Sequence, residues 1–139
     1  MARSRPLYGG TETLFDNLLA SLGIRSASFL DGTDPAAVRK AVEEALGLGP
    51  LAAIFVETPA NPPNSVVDLD LIAEVAGEVE ARQGSRPVVI VDNTLLGPLY
   101  QAPLLHGADL VVYSLTKYVG GHSDLIAGAA LGSAELMRK

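Results

Sequence analysis

Three near-continuous apolar runs, each closing on polar residues, dominate the chain: LAAIFVE at 51–57, PVVIVDNT at 87–94 and DLVVYS at 109–114. Runs of this length and continuity predict strands covered on both faces. Arg25–Leu30 predicts a further short strand, and Ile126–Leu131 another. Between them the apolar spacing changes to that of helices. Residues 11–22 place Leu14, Leu18, Leu19 and Leu22 on one helical face, and Gly23 closes the helix. Asp34-Pro35 opens a second helix: aspartate caps it and proline suits its first turn. Its apolar face is Val38, Ala41, Val42 and Ala45, and Gly47 ends it. Asp68 caps a third helix over 69–82, with Leu69, Ile72, Ala73, Ala76 and Val79 inward and Gly84-Ser85 as the turn. PANPPN at 59–64 is a loop, and Ser133 caps a helix that runs to the last residue, Lys139.

Strands alternating with helices predict an α/β fold with a mainly parallel sheet flanked by helices. The chain has 139 residues, enough for one domain and one core, and no internal repeat or linker divides it. At 48% hydrophobic residues it is not a disordered chain. A net charge of −6 without a basic block argues against a nucleic-acid or membrane partner, since both require clustered Lys and Arg. There are no cysteines, so neither a disulfide framework nor a thiolate metal site is expected. No apolar run reaches the ~20 residues of a membrane helix. A soluble, cytoplasmic protein is the expectation.

In an open α/β sheet, ligands bind beyond the carboxyl ends of the strands. The first long run ends in Glu57-Thr58, followed by Asn61; the second in Asp92-Asn93-Thr94; the third in Ser114, Thr116 and Lys117. Lys117 is one of three lysines and follows an apolar run. If the strands are parallel neighbours, one amine, two carboxylates and several hydroxyls converge on one cleft. A lysine at such an edge can serve as nucleophile or base. A carboxylate on the next strand can hold a protonated ring nitrogen, and hydroxyls suit a phosphate. These are a protein's contributions to pyridoxal 5'-phosphate. The alternative is a strand-end lysine that pairs with Asp92 or Asp124. His106 and His122 lack a ligand spacing, so no metal site is expected.

DLVVYSLTKYVGGHS at 109–123 resembles the lysine signature of the Cys/Met-metabolism family of pyridoxal-phosphate enzymes, which includes cystathionine γ-synthase, cystathionine γ- and β-lyases and methionine γ-lyase. LYGGT at 7–11, ETPANP at 57–62 and VDNT at 91–94 resemble further family motifs in the expected order. The resemblance implies a fold-type I, aspartate aminotransferase-like large domain. It implies that Lys117 forms the internal aldimine, Asp92 partners the pyridine nitrogen, and Ser114 and Thr116 donate on the phosphate side. It further implies that Asn61 lies near the ring's phenolic oxygen and that Tyr8 stacks on the ring and assists proton movement. Glu57 and Thr94 belong to matching motifs as supports of the site.

The implied activity is a C–S lyase or transsulfuration synthase acting on a small amino acid such as cystathionine, methionine, homocysteine or an O-acyl-homoserine. The implied assembly is a homo-oligomer, in the full-length family a tetramer of dimers. Family members are roughly three times as long, which implies that residues 1–139 are a single partial cofactor-binding domain, without the N-terminal arm and C-terminal domain. A non-catalytic truncated chain and another fold-type I enzyme such as an aminotransferase are the competing readings. Leu115 and Leu95 depart from the family pattern, which favours a small residue and an aromatic there, and Gly10 stands where some methionine γ-lyases carry cysteine.

Overall fold

The structure is a computed structural model that describes residues 1–138; Lys139, where the last helix was expected to end, lies outside the described residues. Its sheet has six strands: β1 (Ala2–Ser4), β2 (Ala27–Phe29), β3 (Ala53–Glu57), β4 (Val88–Asp92), β5 (Leu110–Ser114) and β6 (Gly128–Gly132), in the order β2-β1-β3-β4-β5-β6. All neighbours are parallel except β5 and β6. The mainly parallel α/β sheet expected from the pattern is therefore present.

The two long helices form as their sequences dictate. In α2 (Pro35–Leu46), the Asp34 carboxylate accepts the Ala36 N–H at 2.8 Å, and Pro35 occupies the first turn, where its missing N–H costs nothing. In α3 (Leu69–Gln83), Asp68 accepts the Leu71 N–H at 3.1 Å, and Gly84 ends the helix at φ 77°, a conformation open to glycine. Val38, Ala41, Val42 and Ala45 of α2 and Leu69, Ile72, Val75, Ala76 and Val79 of α3 are buried in one cluster with Ile54, Val56, Val89 and Val91 of the sheet. Leu71 and Val75 join the buried face, while the expected Ala73 is only half-buried. A fully buried Val or Ile contributes about 1.5–3 kcal/mol, so this cluster holds β3 and β4 in place.

The first helix departs from expectation. It begins at Gly9 as α1 (Gly9–Thr13) and continues through a π-helical stretch, Leu14–Leu19. Leu14, Leu18 and Leu22 are 42%, 56% and 67% exposed; the residue that enters the core is Phe15, 5% exposed. Phe15 meets Phe55 edge-on at 5.4 Å. The leucine face is thus not buried by this chain. A wider helical turn rotates side chains away from the 3.6-residue period on which the expectation rests.

Strand β1 is absent from the sequence pattern. It is short and carries Arg3, only 4% exposed. The guanidinium lies over the Phe15 ring at 4.9 Å and pairs with Glu12 at 3.1 Å and with Asp16. Arg5 pairs with the same two carboxylates, each at 3.1 Å. These pairs fasten α1 to β1, so the chain leaves β1 directly into the segment carrying Tyr8. Beyond β4 the chain forms α4 (Gly97–Tyr100) and a 3-10 turn, Pro103–His106, neither of which the periodicity shows.

Candidate functional site

Strands β3, β4 and β5 are adjacent and parallel, so their carboxyl ends share one edge. The register places Glu57 opposite Asp92, and Asp92 opposite Val112. At this edge lies a cavity of about 260 Å³ lined by Tyr8, Glu57, Pro59, Asn61, Asp92, Thr94, Leu95, Ser114, Thr116 and Lys117. All six residues expected at the cofactor site line it: Tyr8, Asn61, Asp92, Ser114, Thr116 and Lys117.

Lys117 sits in the turn after β5, its N–H donating to the Ser114 carbonyl at 3.1 Å. Its Nζ is 5.9 Å from the centre of the Tyr8 ring. Among the described residues Lys117 makes no ion pair, so the strand-end pairing with Asp92 or Asp124 is not formed. Gly10 gives the Tyr8 ring its room. A Cβ there would stand 2.9 Å from Tyr8 Cε1, closer than carbon atoms approach.

The acidic side of the cavity is held by hydrogen bonds. Asp92 Oδ1 accepts the Thr94 N–H at 3.0 Å and the Thr94 hydroxyl at 2.6 Å. The same hydroxyl accepts the Ser114 N–H at 2.8 Å and so joins the ends of β4 and β5. Glu57 accepts the N–H groups of Tyr8 at 2.7 Å and Asn61 at 2.9 Å. Burial pushes the Glu57 carboxyl above its ordinary value; the two N–H groups oppose that shift, and Asp92 and Glu12 add to it.

Thr116 is committed to the β5–β6 junction. Its hydroxyl donates to the Ala127 carbonyl at 3.2 Å and accepts the Ala127 N–H at 3.0 Å. A hydroxyl has one proton, so Thr116 donates to a phosphate only by releasing Ala127. Ser114 donates its N–H to Thr94 and lines the cavity.

Asn93 has no role visible in the sequence beyond its place in Asp-Asn-Thr. It is fully buried. Its amide nitrogen lies 3.0 Å from the Gly97 carbonyl, the Gln101 carbonyl and the Tyr113 hydroxyl, and Gln101 donates back to its oxygen at 3.2 Å. The buried flanks of the strand end are the signal that exposes it: a polar residue there requires partners. The two histidines lie apart. His106 meets Asp70 at 3.0 Å and His122 meets the Gly120 carbonyl at 3.0 Å.

One lysine over an aromatic ring, facing a carboxylate with hydroxyls at its flank, is a donor set that fits pyridoxal phosphate. The sequence profile described as "Cys/Met metabolism PLP-dependent enzyme" matches residues 1–139. The chain belongs to that family. Within it, the chain is 44% identical over 124 residues to cystathionine gamma-synthase of Escherichia coli, covering 89% of this chain and 29% of that enzyme. Among solved structures of similar proteins is cystathionine gamma synthase from Xanthomonas oryzae in complex with cystathionine. It has a TM-score of 0.81 and 37% identity, with 99% of this chain and 33% of that one covered. Another is a putative O-acetylhomoserine (thiol)-lyase from Campylobacter jejuni containing a pyridoxyl-lysine monophosphate, with TM-score 0.80 and 32% identity over 97% of this chain and 30% of that one. The chain thus spans about a third of the length of the family members it matches, and the part it spans carries this cavity.

Proposed function

We propose that this chain is the central part of the cofactor-binding domain of a pyridoxal-phosphate-dependent C–S lyase or transsulfuration synthase, acting on a small sulfur amino acid or an O-acyl-homoserine. The observation that carries the reading is the position of Lys117 Nζ, 5.9 Å above the Tyr8 ring, in the cavity that also contains Asp92. The solved relative containing a pyridoxyl-lysine supports a lysine in this role.

Bound pyridoxal phosphate supplies an aldehyde for an amine and a ring that withdraws electrons from a substrate α-carbon. Lys117 provides the amine that holds the group and, when free, takes the α-proton at Nζ. Asp92, oriented by Thr94, holds the proton on the ring nitrogen. Tyr8 would cover the ring face and move protons through its hydroxyl. Ser114, with Thr116 beside it, would donate on the phosphate side, and Asn61, in the same cavity, would serve the ring's phenolic oxygen. Leu95 and Pro59 give the cavity apolar walls.

The protein works as a cytoplasmic homo-oligomer, a tetramer in this reading. The exposed side chains of Tyr100 and Tyr118, which share a shallow pocket with the site residue Leu95, support this, since exposed apolar patches mark interaction surfaces. Among the described residues, no helix is long and apolar enough to cross a membrane.

The test is borohydride reduction of the full-length protein that contains this segment, after addition of pyridoxal phosphate, followed by peptide mapping; the 139 residues alone are expected to bind the cofactor weakly or not at all and to show no turnover. The pyridoxyl mass is expected on Lys117, and Lys117→Ala is expected to lose both that mass and the visible absorbance band. The mass on another residue, or no band before substitution, overturns the reading.

A further inference from the structure

We propose that Glu57 is the positioning residue that sets the mouth of the cavity, by clamping the backbones of Tyr8 and Asn61 to the end of β3. The clamp is independent of what the cavity holds; its effect on the cofactor rests on the pyridoxal-phosphate reading. Glu57 is the last residue of β3 and is 5% exposed. Each carboxylate oxygen has its own donor: Oε2 takes the Tyr8 N–H at 2.7 Å and Oε1 the Asn61 N–H at 2.9 Å. The Glu57 N–H in turn donates to Ser4 Oγ at 3.1 Å, which ties the clamp to the end of β1.

Tyr8 and Asn61 are exposed side chains on two segments far apart in sequence, and both line the cavity with Lys117. What locates them is the backbone. Glu12 fastens the preceding residue, accepting the Leu7 N–H at 3.0 Å, but among the described residues only the Glu57 side chain bonds both the Tyr8 segment and the Asn61 segment. Hydrogen bonds to an ionised carboxylate are roughly twice as strong as neutral ones, which suits a joint between two loops. The chemistry demands an acceptor at both ends. Glutamine of the same size turns an NH₂ toward one of the two N–H groups and loses that contact. Glu57 touches no reacting atom through this geometry; it acts through Tyr8 and Asn61.

The experiment compares the full-length protein that contains this segment with its Glu57→Gln and Glu57→Asp variants. Amide exchange is measured residue by residue before pyridoxal phosphate is added, and the cofactor is then titrated by absorbance. In Glu57→Gln, exchange at Tyr8 or Asn61 is expected to accelerate at least about tenfold, while Ile90 and Val111 in the sheet keep their protection. The visible band is retained, because Lys117 is intact, but half-saturation moves up about tenfold. Glu57→Asp, which keeps two acceptor oxygens, is expected to recover part of both. Unchanged exchange at both Tyr8 and Asn61 overturns the proposal, as does an equal loss across the sheet, which marks a general structural defect. Absence of a visible band in the unsubstituted protein defeats the cofactor reading, and the exchange result still decides the clamp.

Discussion

The Thr94 hydroxyl donates to Asp92 Oδ1 at 2.6 Å and accepts the Ser114 N–H at 2.8 Å, so one side chain both aims the acidic group of the cavity and joins two strand ends. Thr94→Val keeps the shape and removes both bonds. We expect a loss of about 1–3 kcal/mol in folding stability, measured by chemical denaturation, and roughly tenfold weaker pyridoxal-phosphate binding. Thr94→Ser should restore both. Equal binding by the valine variant would show that Asp92 needs no such support.

Gly10 separates stability from cofactor binding. Alanine there favours the helix by up to about 1 kcal/mol. Its Cβ, however, would lie 2.9 Å from Tyr8 Cε1, and the exposed tyrosine is the part that can move. Gly10→Ala is therefore expected to keep or raise the melting temperature while weakening cofactor binding. A drop in melting temperature with unchanged binding would contradict this.

Asn93 is expected to be costly to replace. Asn93→Ala strands the buried Gly97 carbonyl and removes both bonds to the half-buried Gln101, whose amide keeps the Thr58 carbonyl, at a cost of about 2 kcal/mol. Hydrogen exchange should show the loosening concentrated in residues 97–101, next to the cavity. Stability within about 0.5 kcal/mol of the unsubstituted protein would mean that water replaces the amide there.

Glu57 also gives a pH signature. Its folded pKa lies above the ordinary value of 4.5, chiefly because of burial. The folded state therefore holds that proton more tightly than the unfolded state. The stabilisation is complete below the ordinary value and is lost as pH rises through the elevated one. Asp31, Glu43 and Glu78 are lowered by their hydrogen bonds and act in the opposite sense. The difference between the unsubstituted protein and Glu57→Gln isolates Glu57. That difference in unfolding free energy should fall with rising pH across the window that starts near 4.5. A difference that is flat or rises would refute the assignment.

Arg3 carries a structural expectation. Arg3→Met keeps much of the packing on Phe15 but leaves Glu12 and Asp16 with Arg5 alone. A loss of about 1 kcal/mol is expected by chemical denaturation, because both partly exposed carboxylates keep Arg5. Because α1 follows Tyr8 directly, the Tyr8 amide should exchange faster as well.

Much of the fold can be read along the chain. Asp34-Pro35 and Asp68 start helices through contacts within three residues, and the apolar faces of α2 and α3 follow the helical period. The runs ending at Glu57, Asp92 and Ser114 are strands because no polar residue interrupts them. These features depend on near neighbours, so the sequence by itself determined them, together with the motif residues now found around one cavity.

Other features were decided only when distant segments met. Ala2–Ser4 becomes a strand because Glu12 and Asp16, on another element, neutralise Arg3 in the interior. The leucines of the first helix demand burial only on an ideal helical turn; in the folded chain Phe15 takes the inner position while Leu14, Leu18 and Leu22 stay outside. β6 runs antiparallel because the turn after Lys117 brings Ala127 back to Thr116. Asn93 and Glu57 owe their roles to partners up to dozens of residues away. Periodicity records which side of an element avoids water; it does not record which buried donor meets which buried acceptor, and the ends of β3, β4 and β5 are built from such meetings.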